Sequence, residues 1–264
     1  LFTTIFVALA TAASLIISAP LALGARNSIG GVNPVWQSWL FGFAFVAASR
    51  MLKISAPLSI AALSILMLAI LLNGSRQAIA AIVISLAVAS LFSRSKLLTI
   101  SLLFFVALPI GILTQARFAN EAESRSFAED AARVDMALTA FQEIVDRPKG
   151  YGFGQFRYAH WTYPHNIILE IGHASGVIGI LVLFAIFGWS TYRCIRLPSN
   201  LRDVLLPLLI TGFTFAQFSG SLTSHRILYF MLGMGLACHI RSLSRDKSAQ
   251  TKSAEDSQKG LVRI

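Results

Sequence analysis

The apolar residues of this chain are gathered into long blocks, and every second connector between the blocks is basic. A block of about 20 apolar residues is what an α-helix needs to cross a bilayer, where irregular backbone would leave polar groups unpaired. Charged residues make up only 13% of the chain, whereas a soluble domain has about 25%. The pattern predicts an all-α polytopic membrane protein.

Eight apolar segments predict about eight transmembrane helices. Lysine and arginine follow the second, fourth and sixth segments and recur in the tail, as they do in cytoplasmic loops. The net charge of +10 therefore has a topological explanation, and no nucleic-acid partner is predicted. The segments are 1–24, 35–49, 56–72, 77–92, 97–114, 166–192, 204–222 and 227–240.

Composition divides the chain into four regions. Residues 1–115 contain five predicted helices, and residues 165–240 contain three more. Between them, residues 116–164 form one large hydrophilic loop, which the charge pattern assigns to the side of the membrane away from the cytoplasm. Residues 241–264 form a polar cytoplasmic tail with too little apolar content to fold, so it is predicted to be disordered.

The large loop contains one predicted amphipathic helix, over residues 126–145. Its apolar residues recur at helical spacing, and they are Phe127, Val134, Leu138, Phe141 and Val145. Pro148 and Gly150 are expected to end the helix. We expect it to lie on the membrane or on the helix bundle, and to fold over the outer helix ends so that Phe127, Leu138 and Phe141 become buried.

Three polar side chains lie where topology alone does not require them. Arg76 opens the fourth helix, although an arginine there can simply extend its charge to the membrane interface. Arg133 lies on the loop helix, where the alternative is a solvated surface charge. His165 precedes the sixth helix, where it could be part of a helix cap with Asn166 as the capping residue.

The remaining polar groups give no metal site. Glu170 and His173 share a helix face, which predicts a buried hydrogen-bonded pair, and His160 is predicted to be solvated. The sequence has no DxD-type carboxylate pair and no histidine or cysteine spacing typical of a metal site. No metal and no cofactor are therefore predicted.

Three ordered motifs resemble the O-antigen ligase and polymerase superfamily. They are Gly74-Ser-Arg-Gln-Ala78 opening a helix, Arg133 followed by Pro148-Lys-Gly-Tyr-Gly-Phe-Gly-Gln-Phe156, and His165-Asn-Ile-Ile-Leu169 with Gly176 and Gly179. Two positions depart from the family pattern, because Met136 replaces a common tryptophan and Ala174 a common glutamate. Members of the family have more helices, so several spans are expected to precede Leu1.

The resemblance implies a glycosyltransferase of lipopolysaccharide biosynthesis at the outer face of the bacterial inner membrane. Its donor would be a glycan on undecaprenyl diphosphate, and its acceptor lipid A–core for a ligase or a lipid-linked repeat unit for a polymerase. Arg76 and Arg133 would bind the diphosphate, since guanidinium groups bind phosphate oxygens bidentately. His165 would be the catalytic base, supported by Asn166 and Glu170, in a metal-independent, inverting transfer.

Other functions remain open at the level of sequence. An O-antigen or exopolysaccharide polymerase is the main alternative to a ligase, and a protein-glycosylating oligosaccharyltransferase is a third possibility. A transporter would place ionisable groups near the bilayer midplane, and the interiors of these segments contain almost none. A non-catalytic assembly scaffold is the remaining alternative. Membrane lipids are expected partners in every case.

Overall fold

Helices make up every regular element in the part of the chain that the structure describes. This computed structural model describes residues 2–18, 33–51, 56–73, 76–92, 123–160, 162 and 164–218, with isolated positions between 232 and 240. The helices with defined bounds are α1 Phe2–Ser18, α2 Pro34–Met51, α3 Ala56–Asn73, α4 Arg76–Phe92, α5 Glu123–Asp146, α6 Gln155–His160, α7 Ile167–Ile195 and α8 Ser199–Phe218.

The predicted apolar segments correspond closely to these helices. Six of the eight coincide with α1 to α4, α7 and α8. The other two, 97–114 and nearly all of 227–240, lie outside the described residues. Two of the described helices, α7 and α8, are long and apolar enough to cross a membrane, and three shorter apolar runs fall in α1, α3 and α4. The all-helical fold is confirmed for the described ranges, and the number of spans stays a prediction.

Helix α2 lies at the centre of the bundle. Every residue from Phe41 to Ala48 is buried, and α2 contacts α1, α3, α4 and α8. Side chains from all sides of α2 are therefore removed from solvent, as expected for a helix that is apolar all round. Helices α4 and α8 also share a buried polar contact, because Ser85 Oγ lies 2.7 Å from Thr211 Oγ1.

One end of the bundle gathers the termini of several helices. Asn73 at the end of α3 donates to Gln37 near the start of α2, at 3.5 Å. Gln77 in the first turn of α4 donates to the carbonyl of Phe218 at the end of α8, at 3.0 Å. Asn166 at the start of α7 donates to the neighbouring carbonyl of Gln217, at 3.2 Å. We call this end, defined by these six residues, the site end.

The predicted loop helix exists as α5, but the structure turns it differently from our expectation. It contacts α7, and its buried side chains are those of Ala140 and Ile144. Leu138 and Phe141 are 60% and 57% exposed, so the prediction that they are buried is wrong. The side chain of Phe127 lies outside the described part of the structure.

Close helix packing explains this correction. Ile144 packs so near to α7 that a Cβ atom at Gly172 would lie 2.7 Å from its Cδ1 atom. Glycine at position 172 leaves the room that the Ile144 side chain fills. Other described apolar side chains of α5 lie away from α7, and Val134 and Val145 remain 57% and 54% exposed. Helix α5 thus has a face toward α7 with Ala140 and Ile144, an exposed apolar face, and an exposed polar face with Asp135, Gln142 and Asp146.

Candidate functional site

A break in helix α7 joins the large loop to the bundle. Gly176 has φ 70° and ψ −163°, which interrupts the helical hydrogen bonds. The carbonyls of His173 and Ala174 accept instead from the backbone N–H groups of Tyr151 and Gly152, at 2.7 and 2.9 Å. The N–H of Val177 donates to the carbonyl of Pro148 at 3.0 Å. The loop thus replaces helical partners that the break removes, so few backbone groups lose a bond.

Two glycines make this junction possible. A Cβ atom at Gly176 would collide with the carbonyl oxygen of Pro148, and one at Gly150 would lie 2.6 Å from the amide nitrogen of Gly176. Both residues also have a positive φ, at 70° and 83°, which side chains disfavour. The Gly-rich stretch of the loop is therefore a docking turn onto α7.

Replacing Gly176 with alanine is expected to destabilise the protein by about 1–3 kcal/mol or more, because the new Cβ adds a backbone collision to an unfavourable φ. The matched control is Gly188→Ala in the same helix, where a Cβ atom would meet nothing within 4 Å. Thermal unfolding in detergent would compare the two variants. Equal midpoints would contradict the close packing of loop and helix.

His165 and Asn166 form the entry into α7. Asn166 is the N-cap that its sequence position predicted, and its side-chain oxygen accepts from the amides of Ile168 and Leu169 at 2.9 and 3.1 Å. His165 has φ 55°, and no other described residue apart from glycine has a positive φ. This left-handed backbone places its side chain on a sharp turn beside the site end, where it is half-buried.

Arg133 of α5 lies close enough to His165 to influence its protonation. Burial lowers the pKa of His165 below its ordinary value of 6.5, and the positive charge of Arg133 lowers the pKa further. Arg133 itself is half-buried, so it is not a fully solvated surface charge. The neutral imidazole is favoured near pH 7, as a proton acceptor requires.

Arg76 and Glu170 lie at the beginnings of α4 and α7. Arg76 is the first residue of α4, next to Gln77, whose side chain bonds to the end of α8. The side chain of Arg76 lies outside the described part of the structure. Glu170 is half-buried in the first turn of α7. The backbone positions of Arg76 and His165 therefore share the site end, through the adjacent carbonyls of Gln217 and Phe218.

A carboxylate that we did not single out from the sequence joins three elements. Glu143 of α5 has one oxygen 2.9 Å from Nε2 of His160 on α6 and the other 3.0 Å from Nε2 of His173 on α7. His160 is half-buried rather than solvated, which corrects that prediction. The predicted partner of His173 was Glu170, whereas the structure pairs His173 with Glu143. We call Glu143, His160 and His173 the loop clamp.

A sequence signal for Glu143 did exist. Glu143 lies beside Ala140 and Ile144, on the face of α5 that packs against α7. The glycines of α7 indicate close helix packing, and a carboxylate on a closely packed face needs a buried partner. Within the described ranges, no group of three or more histidine, cysteine or acidic side chains could hold a metal ion.

The described fold is a helical bundle with apolar helices long enough to cross a membrane, and its candidate polar groups lie at one end. Residues 60–184 match the family model described as O-antigen ligase. This match supports the O-antigen ligase superfamily that the motifs predicted, and it indicates a membrane-integral glycosyltransferase of the ligase or polymerase type. Comparison with curated proteins and with solved structures returned no match.

Proposed function

We propose that this protein transfers a glycan from undecaprenyl diphosphate to lipid A–core, as an O-antigen ligase. The site end and residues 116–164 would face the periplasm from the bacterial inner membrane, and the tail would face the cytoplasm. The observation that carries the proposal is the neighbourhood of His165. A half-buried imidazole with a lowered pKa lies near the guanidinium of Arg133, and the backbone of Arg76 lies at the same end of the bundle.

This arrangement suits the chemistry of a diphosphate leaving group. Arg76 and Arg133 would hold the phosphate oxygens and stabilise the charge that develops as the glycosidic bond breaks. A sugar hydroxyl of the acceptor attacks the anomeric carbon and gives its proton to the neutral ring of His165. The diphosphate leaves with the bonding electron pair, so the step balances without a second acid. Attack opposite the leaving group inverts the anomeric centre.

Asn166 and Glu170 are the supporting residues of the proposed site. Asn166 caps α7 and bonds to α8, so it fixes the turn that carries the imidazole. Glu170 lies one turn of α7 further on and would support the acceptor side of the site. The exposed apolar face of α5, formed by Val134, Leu138, Phe141 and Val145, would rest on membrane lipids.

Two arginines supply the positive charge for which many glycosyl transfers use a divalent ion. We therefore expect full-length protein with lipid-linked donor and acceptor to keep its transfer rate in EDTA, within about twofold. The measurement is product formation before and after chelation. Loss of turnover that magnesium or manganese restores would contradict the arginine mechanism.

The ligase assignment is tested by the glycans of a strain that lacks this protein. We expect the core to carry no polymer while lipid-linked polymer accumulates, because chain growth continues and transfer stops. Complementation with the native gene should restore the polymer on the core, and complementation with the His165→Asn variant should not. A core that carries a single repeat unit would instead identify a polymerase, the second function that the family match includes.

A further inference from the structure

The described side chains of helix α5 offer little apolar surface with which to hold it against α7. Among them the buried ones are Ala140 and Ile144, whereas Leu138 and Phe141 are exposed. Burying one alanine and one isoleucine contributes little stability in area terms. A helix of 24 residues that must keep one orientation needs further contacts.

The loop clamp supplies those contacts. The Glu143 carboxylate reaches one histidine from the neighbouring helix α6 and one from α7, at 2.9 and 3.0 Å. His160 and His173 lie on different elements, so one carboxylate fixes α5 relative to both. One oxygen of this carboxylate is hydrogen-bonded to His160, and the other lies within ion-pair distance of His173. Turning the carboxylate would therefore disturb its contacts with both histidines.

The imidazole of His173 is itself held in one orientation. It is only 3% exposed, and its ring stacks on that of Tyr151, with centroids 4.7 Å apart and an interplanar angle of 7°. Phe156 packs edge-on against the same ring at 5.1 Å. The guanidinium of Arg147 lies over the Tyr151 ring, 5.0 Å from its centre. Nε2 of His173 therefore points in one direction, toward α5.

The loop clamp and the candidate site occur in the same order along the two segments. Ten residues separate Arg133 from Glu143 on α5, about 15 Å of helix, and His165 lies eight residues before His173, in the turn that precedes α7. Arg133 lies near His165, and Glu143 contacts His173. The two helices therefore run side by side in the same direction, and fixing one pair limits the movement of the other.

We propose that Glu143 is a positioning residue, which contacts His160 and His173 and thereby holds α5 in the register that places Arg133 beside His165. The inference rests on the proposed function for its catalytic consequence, and on the described contacts for its structural part. Glu143 touches no reacting group. It acts through Arg133, which would bind the donor diphosphate.

The structural part is tested by spin labels on full-length protein in detergent. Val134→Cys and Ile178→Cys place labels at exposed sites on α5 and α7, with Cys194 and Cys238 replaced by alanine. Adding Glu143→Ala is expected to broaden the distribution of distances between the two labels. Adding Glu143→Gln should leave this distribution narrow, since an amide can still bond to a histidine. Asp146→Ala removes an equal charge from the exposed face of α5 and should also leave it narrow. An unchanged distribution in Glu143→Ala would overturn the proposal.

The catalytic part is tested by the pH profile of transfer. Glu143→Ala is expected to reduce transfer about 10-fold to 100-fold and to move the acid limb to higher pH, because Arg133 would no longer lower the pKa of His165. Asp146→Ala should leave the transfer rate and the acid limb of the pH profile unchanged, and the profile of Glu143→Gln should stay near the native one. If Glu143→Ala broadens the distance distribution but leaves the acid limb of the pH profile in place, the proposal that Glu143 acts through Arg133 would be overturned. If His165→Asn keeps full activity, the proposed role of His165 as the base fails, and the spin labels still decide whether Glu143 holds α5.

Discussion

Replacing His165 with asparagine is expected to lower glycan transfer by about 100-fold to 10,000-fold, the range that a general base contributes. Asparagine is the suitable replacement because it tolerates the left-handed backbone at φ 55°, whereas alanine would add strain to the entry of α7. Donor binding should be nearly unchanged, since the arginines remain. Transfer and donor-binding assays on the same preparation would separate the two steps.

The pH dependence of transfer by the native protein provides a second test of His165. The base must be neutral, and the pKa of His165 lies below its ordinary value of 6.5. Activity should therefore persist below pH 6.5 and fall only as pH drops through the lowered pKa. An asparagine variant with near-native transfer would reduce His165 to a shaping residue of the turn before α7.

Replacing Arg133 with lysine or with glutamine should have two separable consequences. Lysine keeps the positive charge but loses the planar fork, so donor binding and transfer are expected to fall about 10-fold to 100-fold, the worth of one charge-assisted hydrogen-bonded pair. The acid limb of the pH profile should stay in place. Glutamine removes the charge as well, so transfer should fall further and the acid limb should move to higher pH.

The control for Arg133 is Arg157→Gln, because Arg157 is an exposed arginine of the same loop. It removes one positive charge without touching the site end, and both the rate and the pH limb should remain native. If Arg157→Gln shifts the limb as far as Arg133→Gln does, general loss of positive charge would explain the effect. The specific pairing of Arg133 with His165 would then be wrong.

Patterns that repeat over a whole helix were predictable from the sequence. The apolar blocks anticipated six described helices to within a few residues at most ends, and the spacing of Val134, Leu138 and Phe141 anticipated α5. Asn166 was expected as the N-cap because its side chain suits that position, and it is one. The family followed from three short motifs in order, and the match over residues 60–184 confirms it.

Contacts between distant segments were predicted less well. The large apolar residues of α5 were expected to face the bundle, and the structure buries Ala140 and Ile144 instead. Hydrophobic periodicity finds the apolar side of a helix, but it does not distinguish a face that packs closely from one that remains exposed. Gly172 leaves the space that the Ile144 side chain fills, so the geometry of α7 decided the orientation of α5.

The sequence by itself determined the helices, the loop between them, the N-cap of α7 and the superfamily, because each depends on residues that are near one another along the chain. Only the tertiary structure decided the partner of His173, the break at Gly176 that receives the loop, and the proximity of Arg133 to His165. Those features join residues that are 22 to 32 positions apart. Spacing along a chain does not specify which buried carboxylate meets which histidine, because that choice depends on how α5 is turned against α7.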